Sequence, residues 1–169
     1  LIERALPPMR ALRDRVKETV VISILDQGEG LVLDQVPGLH AFRFVCDPGT
    51  RQPVHASAST KAILANMEPA LAAAVLKSVK YARLTDRTIT SAAGFRRELE
   101  RTRVRGYGVD CGEALQGVHC VAAAVLDHHR TPVAAITVTG PSERLPAKGF
   151  ADLGRLVRAC AEVVSASLA

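Results

Sequence analysis

The sequence predicts an α/β sandwich of the α+β type, a mainly antiparallel sheet with helices covering at least one face. Three observations predict it. Residues 19–36 and 118–139 each hold two apolar, β-branched runs joined by a short polar turn, so each reads as a hairpin. Segments with apolar residues every three or four positions open the chain, close it and fill its middle. There is no internal repeat and no low-complexity linker, so one sheet and its helices account for the chain.

The elements follow in order. Leu6, Met9, Leu12 and Val16 are spaced for a helix over residues 2–19, with Pro7 and Pro8 in its early turns. Residues 19–26 are a strand, 27–30 a Gly-containing turn and 31–36 a second strand. A third strand is predicted over 41–46 and is ended by Asp47-Pro-Gly49. A helix follows Pro53-Val-His55 and breaks at Glu68-Pro69; an alanine-rich helix spans about 70–80. Residues 88–90 read as a short extended piece. Ser91 caps a helix over 92–105 that stops at Gly106. Tyr107–Asp110 is a strand, 111–117 a loop, and 118–126 with 132–139 the second hairpin, turning at Asp127-His-His-Arg130. A last helix, 146–168, aligns Phe150, Leu153, Val157, Cys160 and Val164.

Composition narrows the function. With 169 residues the chain buries a core without staples. Aromatics make up 4% and Trp is absent, so that core is aliphatic. No apolar run reaches the ~20 residues that span a bilayer, and no secretory signal is present, so the expected compartment is the cytoplasm. Cys46, Cys111, Cys120 and Cys160 form no C-x-x-C pair and read as free thiols, with a ligand or redox role open for Cys111 or Cys120. The net charge of +5 raises nucleic acid as a partner, but the Arg96–Arg105 run is interleaved with Glu98 and Glu100 and suits a solvated helix face. No nucleic-acid-binding signature is present.

Enzyme motifs are missing: no G-x-S-x-G, no H-E-x-x-H, no P-loop. His55, Cys111, His119 and Cys120 make a zinc site only if the fold gathers them, and His119 and Cys120 point to opposite faces of one strand. His128 and His129 sit in a polar turn. A binding patch is better supported. Strand parity puts Cys120 on one face, Thr137 and Thr139 on one face, and the hairpin sets Cys120 near position 138 or 139. Ala58 and Ser59 lie at a helix start, where backbone N–H groups attract an anion such as a carboxylate. Asp110 ends a strand and can accept from a ligand hydroxyl. Each residue also has a plain structural reading: Thr favours strands, Cys is a small core residue, and Asp caps loops.

Five segments, in order, resemble the C-terminal domain of IclR-family transcription regulators. Gly49-Thr-Arg-Gln-Pro-Val-His-Ala-Ser-Ala-Ser-Thr-Lys-Ala-Ile-Leu-Ala65 resembles G-x-x-x-P-x-H-A-(T/S)-A-x-G-K-A-(L/I)-L-A. Leu84-Thr-Asp-Arg-Thr-Ile-Thr90, Arg105-Gly-Tyr-Gly-Val-Asp110, Gly117-Val-His-Cys-Val-Ala-Ala123 and Thr137-Val-Thr-Gly-Pro141 resemble the family's later segments. The resemblance implies a GAF/profilin-like curved sheet and no enzymatic activity or cofactor. It implies residues 1–18 as the end of a linker helix from an absent N-terminal winged helix-turn-helix domain, and 19–169 as an effector-binding domain. It implies a small organic effector bound by Ala58, Ser59, Asp110, Cys120, Thr137 and Thr139, homodimers or dimers of dimers, and operator DNA contacted only through the absent domain. Leu1 in place of Met accords with a piece of a longer protein. Departures are Thr60 for the family Gly, Ala124 for a common Pro, and Thr for Ser at 137 and 139. Two other functions stay open: a GAF-type sensor of another signalling protein, or a small cysteine- or metal-dependent hydrolase.

Overall fold

The 3.6-residue stripe of Ala5, Met9 and Leu12 is buried in helix α1 (Ile2–Val16) of the computed structural model, which describes residues 1–168. The helix stops short of residue 19 because Lys17 turns left-handed (φ 64°), its N–H closing on Arg13 O. The chain then enters strand β1 (Thr19–Asp26), turns at Gln27 and Gly28, both at positive φ, and returns as β2 (Glu29–Val36). Positive φ at both turn residues matches the right-handed twist of a tight hairpin.

The third strand is not 41–46. That segment makes no ladder; the strand beside β2 is β3 (Arg51–Gln52). The reason is visible in its backbone bonds, which go to side chains. Thr19 Oγ1 donates to Phe44 O (2.5 Å), Arg144 donates to Phe42 O (2.9 Å), and Cys46 N donates to Gln35 Oε1 (2.8 Å). The turn at Asp47-Pro-Gly49 then brings Gly49 N to Val32 O (2.8 Å), and pairing begins only after it.

Helix α2 (Ala58–Asn66) is followed by α3 (Pro69–Ser78) and α4 (Ala92–Arg105). Ser91 Oγ caps α4 by accepting from Gly94 N (3.1 Å), and Gly106 ends it at φ 81°. Residues 88–90 form no strand, because the Thr88 hydroxyl is taken up by Leu84 N, Thr85 N and Glu113 O. Strands β4 (Gly108–Cys111), β5 (Val118–Leu126) and β6 (Pro132–Pro141) precede α5 (Phe150–Ser167).

The six strands run β3-β2-β1-β6-β5-β4, every neighbour antiparallel, in a curled sheet. One face carries Val20, Ile22, Val121, Val125, Ile136 and Val138 and packs under α1 and α5, where Met9, Val157 and Val164 complete the main core. The other face presents Ala122 and Ala135 to Ala58, Ala62 and Ile63 of α2. A Cβ added at Gly108 would fall 2.4 Å from Ala58 O, so α2 lies directly on β4. Beyond α2, Val54, Leu64, Leu76, Phe95 and Leu99 form a satellite core with α3 and α4. Among the described residues no helix is long and apolar enough to cross a membrane.

Candidate functional site

The α2 face of the sheet also holds a polar row that runs across four strands. Thr19 pairs with Thr139, Thr139 with Cys120, and Cys120 with Asp110. Cross-strand partners share a face, so all four side chains point the same way. The next row contains Val21, Thr137, Ala122 and Gly108. Of the two positions the sequence leaves open, 138 and 139, the hairpin register sets Cys120 against Thr139, and the Cys120 thiol donates to Thr139 Oγ1 at 3.2 Å.

Two hydroxyls on this face have no partner. Among the described residues, Thr137 Oγ1 and Ser23 Oγ are buried with no hydrogen-bond partner. Thr137 is 7% exposed. Buried polar groups in folded proteins are almost always paired, because an unpaired one costs roughly 1–3 kcal/mol. The fold tolerates two here, set diagonally on adjoining strands, Thr137 opposite Val21 and Ser23 opposite Ala135.

Asp110 sits at the end of the row. Its Oδ1 accepts from Glu113 N (2.6 Å) and Ala114 N (3.4 Å), which folds the 111–117 loop over it. Burial pushes its carboxyl up to about 6, with the two backbone bonds opposing and the Glu113 charge reinforcing. The Cys120 thiol is driven well above its ordinary value, by burial first and then by the Asp110 carboxylate. A thiol held protonated is a poor nucleophile, so Cys120 packs and donates weakly rather than attacks.

Ala58 and Ser59 open α2 as the sequence predicts, and both are buried. Local side chains turn inward. Ser57 Oγ donates to Pro53 O (2.7 Å), Ser59 Oγ to Gln52 Oε1 (3.0 Å), and Thr60 Oγ1 to Val54 O (2.7 Å) and Ser57 O (2.9 Å). One turn on, Lys61 is fully buried. Its ammonium donates to Val109 O (2.8 Å) and to Glu113 Oε2 (2.5 Å), so this cation is already paired. Burial raises the Glu113 carboxyl and Lys61 opposes the rise.

The possible zinc set is divided by the fold. His55 is buried, its Nε2 bonded to Ala82 O (2.8 Å) and its ring edge-on to Tyr81. Cys111 and His119 come together, Sγ to Nε2 at 3.4 Å, while Cys120 points to the other face. Among the described residues no three His, Cys, Asp or Glu side chains are placed to hold a metal ion. His128 and His129 stack on one another in the exposed β5–β6 turn.

Thr19 and Ser23 belong to the face but are not found from the sequence. Their membership depends on β1 pairing with β6, more than a hundred residues away. No local signal encodes that pairing.

Comparison with known proteins gives this geometry a family. The family model described as "Bacterial transcriptional regulator IclR C-terminal" matches residues 1–166. The transcriptional repressor IclR of Escherichia coli (strain K12) is 34% identical over 161 residues, covering 94% of this chain and 59% of the repressor. The HTH-type transcriptional regulator BhcR of Paracoccus denitrificans is 36% identical over 145 residues, covering 86% of this chain and 52% of that protein. The chain thus spans little more than half the length of the curated relatives it matches. The crystal structure of the Thermotoga maritima IclR superposes with a TM-score of 0.92 at 30% identity, over 98% of this chain and 67% of that one. An IclR homolog of Microbacterium hydrocarbonoxydans, solved in complex with 4-hydroxybenzoate, has the same fold (TM-score 0.86, 24% identity, 98% of this chain and 67% of that one). These relatives are regulators, not enzymes. The chain belongs to the IclR family of bacterial transcriptional regulators and forms the C-terminal domain of that family.

Proposed function

We propose that this domain senses a small organic effector on the α2 face of its sheet, and that binding changes how the whole regulator holds its operator DNA. The observation that carries this reading is the buried, unpartnered Thr137 hydroxyl beside the Asp110–Cys120–Thr139 row. A ligand hydrogen bond satisfies that group, and a face built only for packing has no use for it.

The chemistry favours a molecule with two polar ends. Asp110 accepts hydrogen bonds, so it faces a hydroxyl rather than an anion. An acid group suits the start of α2, where backbone N–H groups of Ala58 and Ser59 and the helix dipole supply the positive end. Lys61 is spent on Glu113, so the acid meets these dipoles and not a cation. The 4-hydroxybenzoate complex of the Microbacterium homolog is a precedent for this fold holding a hydroxylated acid. Thr at 137 and 139 adds two methyl groups to the face, which sizes the effector differently from a Ser-lined one. The loop over residues 37–50 bonds to Thr19 and Gln35 at the edge of the face and must yield for a ligand to enter.

A regulator responds only if the effector prefers one state over another. In this reading the states are arrangements of a dimer or a dimer of dimers. Residues 1–18 act as the lever, joining the sheet to a preceding winged helix-turn-helix domain.

A thermal-shift screen against aromatic acids, sugar acids and short hydroxy acids tests the proposal, with Cys120→Ala and Thr137→Val in parallel. A binder raises the melting temperature by mass action. A shift present in the native chain and lost in both variants supports the site. A shift that survives both variants moves the site elsewhere. No shift with any acid sinks the acid at the helix start.

A further inference from the structure

The sheet carries a second constellation, back to back with the first. On β4 and β5 the pair Asp110–Cys120 is followed by the pair Cys111–His119, and successive residues point to opposite faces. Cys111 and His119 therefore face away from α2, into a cleft of about 330 Å³ lined by Thr85, Asp86, Arg87, Gln116 and Ser142. Neither the family assignment nor the proposed effector site uses them.

The geometry defines a base and a thiol. His119 Nδ1 lies 2.7 Å from Leu145 O. A carbonyl only accepts, so Nδ1 carries the hydrogen and neutral His119 presents a bare Nε2. That lone pair faces Cys111 Sγ at 3.4 Å. The ring is held edge-on against Phe150, centroids 5.4 Å apart, which fixes its direction. From the cleft side the Arg87 guanidinium donates to the same sulfur at 3.5 Å. Base, thiol and an anion-stabilising cation stand in line, with a third group orienting the base. Cys111 is partly exposed and Arg87 is exposed, so a small reagent reaches the sulfur.

We propose that Cys111 is a peroxide-reactive thiol, activated by His119 and Arg87, and that its oxidation is a second input to this domain. His119 Nε2 takes the thiol proton. The thiolate sulfur attacks one oxygen of a hydroperoxide; the S–O bond forms as the O–O bond breaks. Sulfur loses two electrons and becomes a sulfenic acid. The departing oxygen takes the proton back from the imidazolium and leaves as water or an alcohol.

The other thiols lack this arrangement. Burial raises Cys46, with the Asp47 charge adding to it, and burial alone pushes Cys160 up to about 11. Cys120 is raised further still. An oxygen added at Cys111 would stand beside the proposed effector row. Cys111 lies next to Asp110 and begins the loop whose Glu113 N–H bonds Asp110. The carbonyls of Gly112 and Glu113 in that loop are held by the Thr85 and Thr88 hydroxyls.

The test is hydrogen peroxide at low excess, with sulfenic acid trapped by a cyclic 1,3-diketone and each cysteine peptide read by mass spectrometry. Cys111 is expected to label roughly tenfold or more faster than Cys46 in the same molecules, the scale of a positioned base. Arg87→Met, a change at an exposed side chain, and His119→Gln are each expected to slow Cys111 several-fold and leave the Cys46 rate unchanged. Circular dichroism of both variants separates lost activation from lost folding. Equal labelling of Cys111 and Cys46, or a Cys111 rate indifferent to Arg87→Met in the folded variant, overturns the proposal. Neither result bears on the effector face, which Thr137→Val reports independently.

Discussion

Glu18 and Arg144 stand 126 residues apart and meet as a two-pronged ion pair at the exit of α1, the guanidinium Nε and Nη2 both donating to the carboxylate (Nη2 to Oε2 at 3.0 Å). Glu18 is buried, His40 lies 3.5 Å from it, and Gly140 gives it room: a Cβ there would sit 2.8 Å from Oε2. The Arg144 side chain also holds Phe42 O, so the pair ties α1, the 37–50 loop and the end of β6 together. The chain leaving α1 is thus fastened to the sheet by this pair.

Removing one partner leaves the other stranded. Arg144→Ala leaves a buried carboxylate without its cation, which costs more than losing both charges. Thermal unfolding should rank native above the double variant Glu18→Gln/Arg144→Ala, and that double variant above Arg144→Ala alone. A double-mutant cycle with no coupling would show the pair to be ornamental.

Asp110 sets a pH dependence. Its folded value, pushed up to about 6, lies above the ordinary 3.8, so the folded state holds its proton more tightly than the unfolded chain. The stabilisation is complete below the ordinary value and is lost as pH rises through about 6. Relative to Asp110→Asn, the native chain should lose on the order of 2–3 kcal/mol of unfolding free energy over that window. Urea melts of the two proteins at pH steps across it measure the difference. Parallel curves would show that Asp110 does not titrate there.

Gly108 is the contact point of α2 on β4. Its added Cβ would meet Ala58 O at 2.4 Å, Ala62 N at 3.0 Å and the Lys61 Cβ at 3.2 Å. Backbone cannot move as a side-chain tip does, so Gly108→Ala should destabilise by about 1–3 kcal/mol or more, an overpacking cost. It should also lower any effector affinity, because α2 supplies Ala58 and Ser59. An unchanged urea midpoint would mean the helix shifts freely.

Thr137→Val should make the unliganded domain more stable by about 1 kcal/mol, since it removes a buried hydroxyl that has no partner and keeps the shape. The same change should abolish the thermal shift from an effector. Stability gained with binding lost is the signature of a group kept for a ligand. A loss of stability in the unliganded protein would show that the hydroxyl is already satisfied.

Much of the fold is legible in the sequence because its signals are local. Apolar, β-branched runs and short polar turns define both hairpins, and the second hairpin narrows the partner of Cys120 to 138 or 139, of which the register selects Thr139. Ser91 and Gly106 bracket α4 for reasons of capping that need no tertiary context. The third strand is misread for a physical reason. Five apolar residues around Arg43 over 41–46 satisfy a strand pattern, but here backbone carbonyls and an N–H of that segment are taken by Thr19, Gln35 and Arg144, and Phe42 is left 68% exposed.

The sequence by itself determined the family, the two hairpins, a helix start at Ala58 and Ser59, and the placing of Cys120 opposite 138 or 139. Tertiary structure alone decided three things. It paired β1 with β6, adding Thr19 and Ser23 to the face; it buried Lys61 on Glu113, so that this cation is already paired; and it set His119 against Cys111 on the opposite face. Periodicity and capping act over a few residues and can be read in the chain. Which strand lies beside which, and which charge is spent on which, is settled only when distant segments close on one another.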